Sequence, residues 1–230
     1  MNKARSKKSE ISMPKKVKTK VGAAAIGSKK NGRGSKSEND RILQLHVSLV
    51  GSKPLIWRRI LVRGSFSLWR LHQVLQRVMG WEDSHLHEFI FEDKHYGRPD
   101  WDDDPGFGPR FLDERKFKIG SLFTSEGAVI RYFYDFGDGW EHDIKNEAIK
   151  PYESSAFYPR CIDGANDCPP EDSGGLGGYY EKLRIINDPK DPEYEEILEW
   201  MSGFPPKPFS LIGANLALLK SFRSKAKIVN

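Results

Sequence analysis

The nonapeptide YDFGDGWEH, residues 134–142, holds the densest set of reactive side chains in the sequence. It carries Asp135, Asp138 and His142 around two glycines and follows the apolar run AVIRYF. Carboxylates beside an imidazole suit a divalent metal or an acid–base pair. The same residues suit a tight turn, because Asp side chains accept hydrogen bonds from turn amides and glycine adopts positive φ. Both interpretations are open at this point.

A second source of ligands is the tripeptide HLH, which contains His85 and His87. Residues i and i+2 of a strand project to the same face, so we expect the two imidazoles to lie side by side. With one or two carboxylates they would form a site for zinc or another divalent metal such as manganese or iron. The segment CPPED adds Glu171 and Asp172, which we predict as general bases toward a bound water.

Three familiar classes of site are excluded by context. The DFG tripeptide lacks the Gly-rich loop and the HRD-type catalytic loop of protein kinases. The acidic segments DWDDDPGFG and DFGDGWEH do not place oxygen ligands at the spacing of an EF-hand loop. The GxSxG elbow of serine hydrolases is absent from the sequence.

The elements that must position these residues begin with an alternating strand over residues 42–50 and a second strand over 55–63. A helix is predicted over 68–79, because its apolar residues recur at helical spacing. Ser67 is expected to cap its start, and Gly80 stands where a C′ glycine belongs.

Alternation resumes over residues 85–93, and a long Gly/Pro/Asp loop is predicted over 96–114. Residues 128–136 and 141–149 indicate a hairpin joined through GDGW. Residues 158–178 are predicted as loop.

The remaining chain is predicted to be helical, over residues 178–188, over DPEYEEILEWMSG with Asp191 as N-cap, and over 211–222. This order indicates an α+β fold: an antiparallel or mixed sheet, one helix between hairpins and a helical C-terminal third.

Charge divides the chain into two parts. Residues 1–40 hold 12 of the 37 basic residues and 3 of the 32 acidic ones, so this segment carries +9 and residues 41–230 carry −4. We expect a disordered basic arm before a single domain, since the arm lacks aromatic residues and apolar periodicity. Such a tail either solubilises the protein or contacts nucleic acid through phosphate neutralisation. The predicted nucleic-acid contacts are Lys15, Lys16, Lys18, Lys20, Lys29, Lys30 and Arg33.

Two cysteines, Cys161 and Cys168, are too few for a disulfide framework, which favours a cytoplasmic, reducing compartment. The small-residue patch VGAAAIG is too short to span a membrane, and no membrane partner is expected.

Four motifs occur together in a known order: PLIWRRI, LHQVLQRVMGWEDSHLHEF, YDFGDGWEH and CPPEDSGGLGGY. In this respect residues 41–223 resemble the plasmid pRiA ORF-three-like family, also described as TnpR-type passenger proteins of insertion elements. The resemblance implies an α+β domain, a prokaryotic origin and an association with plasmids and mobile elements. It does not indicate a particular activity. The sequence shows neither a serine nor a tyrosine recombinase pattern. The family's polar motifs correspond to His85, His87, Asp135, Asp138, His142, Glu171 and Asp172, and we expect these to line one cleft beneath the 96–114 loop.

Three functions follow as hypotheses. The first is an accessory protein of mobile DNA, a binding module whose arm engages nucleic acid. The second is a metal-dependent hydrolase or nuclease, in which His85, His87 and His142 hold the metal with Asp135 or Asp138. The third is a protein–protein adaptor that depends on neither metal nor nucleic acid.

Overall fold

The computed structural model describes residues 41–99 and 110–223. The predicted basic arm therefore lies outside the described residues. The strands are β1 Arg41–Leu49, β2 Trp57–Arg63, β3 His87–Phe91, β4 Lys94–Gly97, β5 Leu112–Asp113, β6 Val129–Tyr134, β7 Trp140–Pro151 and β8 Arg160–Ala165. The helices are α1 Leu68–Met79, α2 Ile119–Leu122, α3 Gly175–Ile185, α4 Tyr194–Ser202 and α5 Leu211–Phe222.

The eight strands form one sheet in the order β5-β4-β3-β6-β7-β1-β2-β8. Neighbours are antiparallel except β4 and β5, which are parallel, so the sheet is mixed. With its helices the fold is α+β, and that prediction is confirmed. Only part of the C-terminal third is helical, because strand β8 precedes α3.

The core lies between one face of the sheet and the helices. Strand β1 turns Leu43, Leu45, Val47 and Leu49 inward, where they pack with the apolar stripe of α1. Alternation along a half-buried strand puts the intervening polar residues on the other face. The alternation of apolar and polar residues that predicted β1 therefore matches the alternation of buried and more exposed side chains.

Helix α1 has the predicted bounds because both of its ends are marked by local capping residues. The Ser67 hydroxyl accepts a hydrogen bond from the Arg70 amide at 3.2 Å. Gly80 has φ of 95°, and its amide donates to the Gln76 carbonyl. These are the N-cap and C′ arrangements that the sequence predicted.

Two predictions about the later segments are wrong. Residues 158–178 are not all loop, because Arg160–Ala165 form β8 against β2. Only Cys161 of this strand is buried, so an edge strand of mixed polarity carried no clear alternation. Asp191 is not the N-cap of α4, which begins at Tyr194; its carboxylate instead accepts from the Glu193 amide at 3.0 Å and from Arg184 Nη2 at 2.9 Å.

Candidate metal centre

The end of β6 and the segment before β3 bring two predicted ligands together. His87 pairs with Tyr134 in the antiparallel register of β3 and β6. One step beyond that pair, the Asp135 amide donates a hydrogen bond to the Leu86 carbonyl at 2.8 Å. His85 and Asp135 are neighbours for this reason, although they are 50 positions apart in the sequence.

The His85 imidazole lies between two carboxylates. Its Nε2 is 3.6 Å from Asp135 Oδ2 and 3.4 Å from Asp172 Oδ1. These separations are too long for good hydrogen bonds. Nε2 is itself buried and has no hydrogen-bond partner in the described part of the chain. One ligand atom from each of the three residues falls within a 4.8 Å cluster.

Asp135 is held so that one oxygen remains for this cluster. Its Oδ1 accepts from the amides of Gly137 at 2.9 Å and Asp138 at 3.3 Å, which makes an Asx turn. Its backbone has φ of 56°, a left-handed conformation that is uncommon for a residue other than glycine. Asp172 has φ of 59° as well. Two of the three clustered residues therefore occupy backbone conformations that the surrounding structure must stabilise.

Glu171 anchors the loop that carries Asp172. Its carboxylate accepts from the Glu82 amide at 3.2 Å, from Ser84 Oγ at 3.4 Å and from the Tyr134 hydroxyl. Because three donors from separate segments converge on it, Glu171 positions the loop. The predicted role of general base therefore suits Asp172 better, since its side chain is 77% exposed.

Tyr134 connects Glu171 to the backbone of the histidine segment. Its hydroxyl oxygen accepts from the amides of Ser84 at 3.0 Å and His85 at 3.3 Å while its hydrogen is donated to Glu171. Burial raises the pKa of Tyr134 and the bond to Glu171 raises it further. The phenol therefore stays neutral and remains a donor.

Asp138 contacts the glycine-rich segment SGGLGG rather than His85. Its Oδ2 accepts from the Gly174 amide at 3.2 Å. A Cβ at Gly175 would lie 2.6 Å from the Asp138 carbonyl oxygen. Glycine at this position permits the start of α3 to pack on the DFGDG turn, which places Asp172 beside His85.

His87 lies outside this centre, which corrects the prediction that HLH presents two imidazoles side by side. Strand β3 begins at His87, so His85 precedes the strand and the two-residue alternation does not extend to it. The His87 side chain is buried, with Nε2 2.9 Å from Glu114 Oε2. Its ring stacks on His72, with centroids 3.5 Å apart.

His72 lies on α1 and is fully buried, with 0% exposure. His72, Asp83 and His87 also offer ligand atoms within 4.8 Å of one another. Parallel stacked rings do not direct their in-plane lone pairs at a common point, and His72 Nε2 already contacts Asp83 Oδ1 at 2.7 Å. We interpret this group as a hydrogen-bonded core network.

His142 also lies away from the cluster, contrary to prediction. Its Nδ1 donates to the Trp140 carbonyl at 3.1 Å, and its ring packs edge-on against Trp81. Burial lowers the pKa of His142 to about 4. His142 faces the core because it occupies an inward position of β7, opposite Leu49 of β1.

Of the seven predicted acid and histidine residues, five thus lie around one place: His85, Asp135, Asp138, Glu171 and Asp172. Sequence reasoning missed the contributions of Tyr134 and Ser84. Tyr134 is the first residue of the YDFGDGWEH segment, but nothing in its type or spacing indicated that its hydroxyl would join two loops. The predicted cleft beneath residues 96–114 involves residues 100–109, which lie outside the described residues.

Comparison with known proteins identifies the family of the chain. A family model described as plasmid pRiA4b ORF-3-like protein matches residues 41–212. The chain belongs to this family. Neither that description nor the names of the relatives supports the TnpR-type association.

One relative is the uncharacterized protein y4hQ of Sinorhizobium fredii, which is 40% identical over 162 residues, 69% of this chain and 80% of the relative. A solved structure, the protein of unknown function MM3350 from Methanosarcina mazei Go1, is 34% identical with a TM-score of 0.66. The match covers 75% of this chain and 96% of that one, so the solved structure supports the fold. Among the described residues, no helix has the length and apolarity needed to cross a membrane.

Proposed function

We propose that this protein is a divalent-metal-dependent hydrolase whose centre is formed by His85, Asp135 and Asp172. The observation that carries the proposal is the buried Nε2 of His85, which faces two carboxylate oxygens at 3.4 and 3.6 Å without a hydrogen bond to either. A buried polar atom without a partner costs free energy, and a cation between the three groups would remove that cost.

The separations fit the ligand shell of a small cation. Zinc binds imidazole nitrogen and carboxylate oxygen at about 2.0–2.2 Å, so ligand atoms at the corners of a tetrahedron lie about 3.3–3.6 Å apart. Three protein ligands leave a coordination position open, which is the feature that separates catalytic zinc sites from closed structural ones. Manganese or iron with the same ligands is an alternative.

Other residues of the chain would accept a proton or hold the ligands in position. A bound metal would lower the pKa of coordinated water toward neutrality. Asp172, with its exposed second oxygen, would accept the proton. Tyr134 and Glu171 would hold the loop of Asp172 against the segment of His85, and the Asx turn would direct Asp135 Oδ2 inward.

The test is the metal content of the purified full-length chain after reloading with zinc or manganese, measured by elemental mass spectrometry. We expect near-stoichiometric metal in the wild type and loss of it in His85→Ala and Asp135→Asn. The matched control is His95→Ala, because His95 is also 27% exposed but has a single carboxylate neighbour, Glu88, at 2.6 Å. Metal retained in His85→Ala, or absent from the wild type, would refute the proposal.

Activity is the second stage of this test. The metal-loaded chain should hydrolyse an activated ester or phosphodiester such as bis(p-nitrophenyl) phosphate, and Asp172→Asn should lower kcat. Tight metal binding with no hydrolysis of either substrate class would leave a metal site without this reaction and would contradict the hydrolase assignment.

A second candidate function is nucleic-acid binding, as an accessory protein of plasmid DNA. The charge asymmetry favours it, since residues 1–40 carry 12 basic and 3 acidic residues. The family description, which names a plasmid open reading frame, is in keeping with it. Neutralising about 6–10 phosphates would lower affinity by ~10³–10⁵ between 50 and 200 mM salt.

Its test replaces Lys15, Lys16, Lys18, Lys20, Lys29, Lys30 and Arg33 with Gln in the full chain. We expect weaker DNA binding and a shallower dependence of log affinity on log salt, with metal content unchanged. DNA binding that is insensitive to both salt and these substitutions would argue against the arm. The two candidate functions are thereby separated in one set of proteins.

A further inference from the structure

Arg58 is a buried cation without a buried anion beside it. Its residue is 1% exposed, and no carboxylate of the described residues forms an ion pair with it. Its Nε donates to the Val78 carbonyl at 2.9 Å, and Nη1 donates to the carbonyls of Trp57, Ala165 and Asn166 at 2.8, 3.0 and 2.9 Å. Carbonyl dipoles offset part of the desolvation cost but leave a net positive charge in the core.

One guanidinium nitrogen of Arg58, Nη2, remains available to donate to a ligand. In the described part of the chain, no group accepts a hydrogen bond from Arg58 Nη2, whereas Nε and Nη1 are fully engaged. Arg58 lines a cavity of about 290 Å³ between the end of α1 and the start of α5. The Phe209 ring covers the guanidinium at 4.1 Å and forms part of the cavity wall.

The charge of the cavity lining favours an anion. Arg77 and Lys207 join Arg58 in the lining, against a single carboxylate, Asp167. Burial raises the pKa of Asp167, whereas the charges of Lys207 and Arg58 lower it, so this carboxylate interacts with two of the three cations. Burial lowers the pKa of Arg58, and the charge of Asp167 opposes this shift only in part.

Small residues in the lining leave room for a ligand. They are Gly213, Ala214 and Ala217 of α5. Gly164 has a related role on β8, since a Cβ there would lie 2.7 Å from the Phe209 ring. Its absence lets Phe209 close over the guanidinium. A volume near 290 Å³ is at the small end of ligand pockets, about 300–1,000 Å³.

We propose that this cavity binds the phosphoryl group of a small molecule, with Arg58 Nη2 as the buried anchor and Arg77 and Lys207 as the outer contacts. A tetrahedral dianion presents enough acceptors for three separate cations, whereas a carboxylate presents two oxygens. Arginine suits such a ligand because its planar donors match oxyanion geometry. The site is independent of the proposed metal centre, since none of its three cations contacts His85, Asp135 or Asp172.

The experiment is a calorimetric titration of the full-length chain with inorganic phosphate, with sodium chloride used to match ionic strength. We expect one phosphate per chain. Arg77→Gln and Lys207→Gln should each weaken binding by about tenfold or more, the effect of losing one charge-assisted hydrogen bond. Lys116→Gln is the control: this lysine is 77% exposed and does not line the cavity.

Arg58→Lys keeps the charge but loses the fork of donors, and it should abolish binding; circular dichroism shows whether it folds. The two outer variants keep the test decisive if it does not fold. Tighter binding of phenyl phosphate than of phosphate would identify a phosphorylated compound, and the reverse would identify the free anion. No binding, or binding unchanged by both outer variants, would mean that Arg58 serves as a structural clamp only and would overturn the proposal. Neither result depends on whether the chain binds metal.

Discussion

The rings of His72 and His87 stack with centroids 3.5 Å apart and planes 6° from parallel. Each ring faces its own carboxylate through Nε2, Asp83 at 2.7 Å and Glu114 at 2.9 Å. His72 Nδ1 lies 2.8 Å from the Tyr132 hydroxyl, which also accepts from Gln76 Nε2 at 3.1 Å. With the Tyr132 hydrogen directed at Nδ1, this network suits a neutral His72. Two imidazoles this close would repel one another if both were charged.

His72 is therefore predicted to take up a proton only at a pH below the ordinary imidazole value of 6.5. Burial lowers its pKa most strongly and the nearby His87 lowers it further, whereas the hydrogen bond that His72 donates to Asp83 raises it. Because the unfolded chain takes up this proton at a higher pH than the folded chain, the free energy of unfolding should fall as pH drops below about 6.5.

The measurement is a nitrogen-15 NMR titration of the imidazoles in wild type and Asp83→Asn. Removal of the Asp83 charge should lower the pKa of His72 further. Titration of His72 at or above 6.5 in the wild type would contradict the assignment.

His142 should add to the acid sensitivity of the fold. Burial lowers the pKa of His142 from 6.5 to about 4. The unfolded state therefore binds the proton first, and roughly 3 kcal/mol of stability should be lost between pH 6.5 and pH 4, with no further loss from this group below that. Chemical denaturation across this range measures it.

His142→Asn, which keeps a donor for the Trp140 carbonyl, should flatten that dependence on pH. Ile144→Val is the control on the same buried side of β7, because it lowers stability by about 0.5–1.5 kcal/mol without a titrating group. An equal pH dependence in wild type and His142→Asn would assign the acid loss to other residues.

The regular elements were largely predictable, and the convergence of the site was predictable in part. Helix α5 has the predicted bounds. Helix α1 has them too, because Ser67 and Gly80 cap its two ends. Strand β8 was not predictable, since its pairing with β2 is a long-range contact and its residues do not alternate between polar and apolar.

Among the site residues, residue type alone suggested His85, Asp135 and Asp172 as ligands. It did not show that these three, rather than the other candidates, lie next to one another. The separation of His85 from His87 depends on where β3 begins, and a single position decides which side of the sheet a side chain faces. The carboxylate partners of His72 and His87 are Asp83, which is exposed, and Glu114, which is buried. Both come from loops whose course no periodicity describes.

Tyr134→Phe should weaken the metal centre without touching a proposed ligand. The change removes the acceptor of the Ser84 and His85 amides and the donor to Glu171. The free energy of unfolding should fall by about 1–3 kcal/mol, because polar groups are left unpaired. Metal affinity should fall about 10–100-fold, as expected when a group that orients ligands is lost.

Tyr179→Phe is the matched control for this change. Tyr179 is also buried, and no hydrogen bond to its hydroxyl is formed by the described residues. Thermal unfolding and a metal competition titration measure the two effects. Equal metal affinity in Tyr134→Phe and Tyr179→Phe would show that the hydroxyl does not orient the centre.

Gly178→Ala should destabilise the start of α3 and with it the placement of Asp172. A Cβ at Gly178 would lie 2.2 Å from the Ser173 carbonyl oxygen, a backbone atom that cannot move aside cheaply. We expect a loss of about 1–3 kcal/mol in unfolding free energy, as for other overpacked positions. Weaker metal binding should accompany it, since Ser173 follows Asp172.

Gly177→Ala is its control, one residue away in the same helix. A Cβ at Gly177 would meet nothing within 4 Å, so alanine should leave stability unchanged or raise it by up to about 1 kcal/mol through helix propensity. Urea denaturation of both variants gives the comparison. If the two substitutions cost the same, the close approach of Gly178 to Ser173 does not constrain the loop, and the spacing of the glycines in SGGLGG would need another explanation.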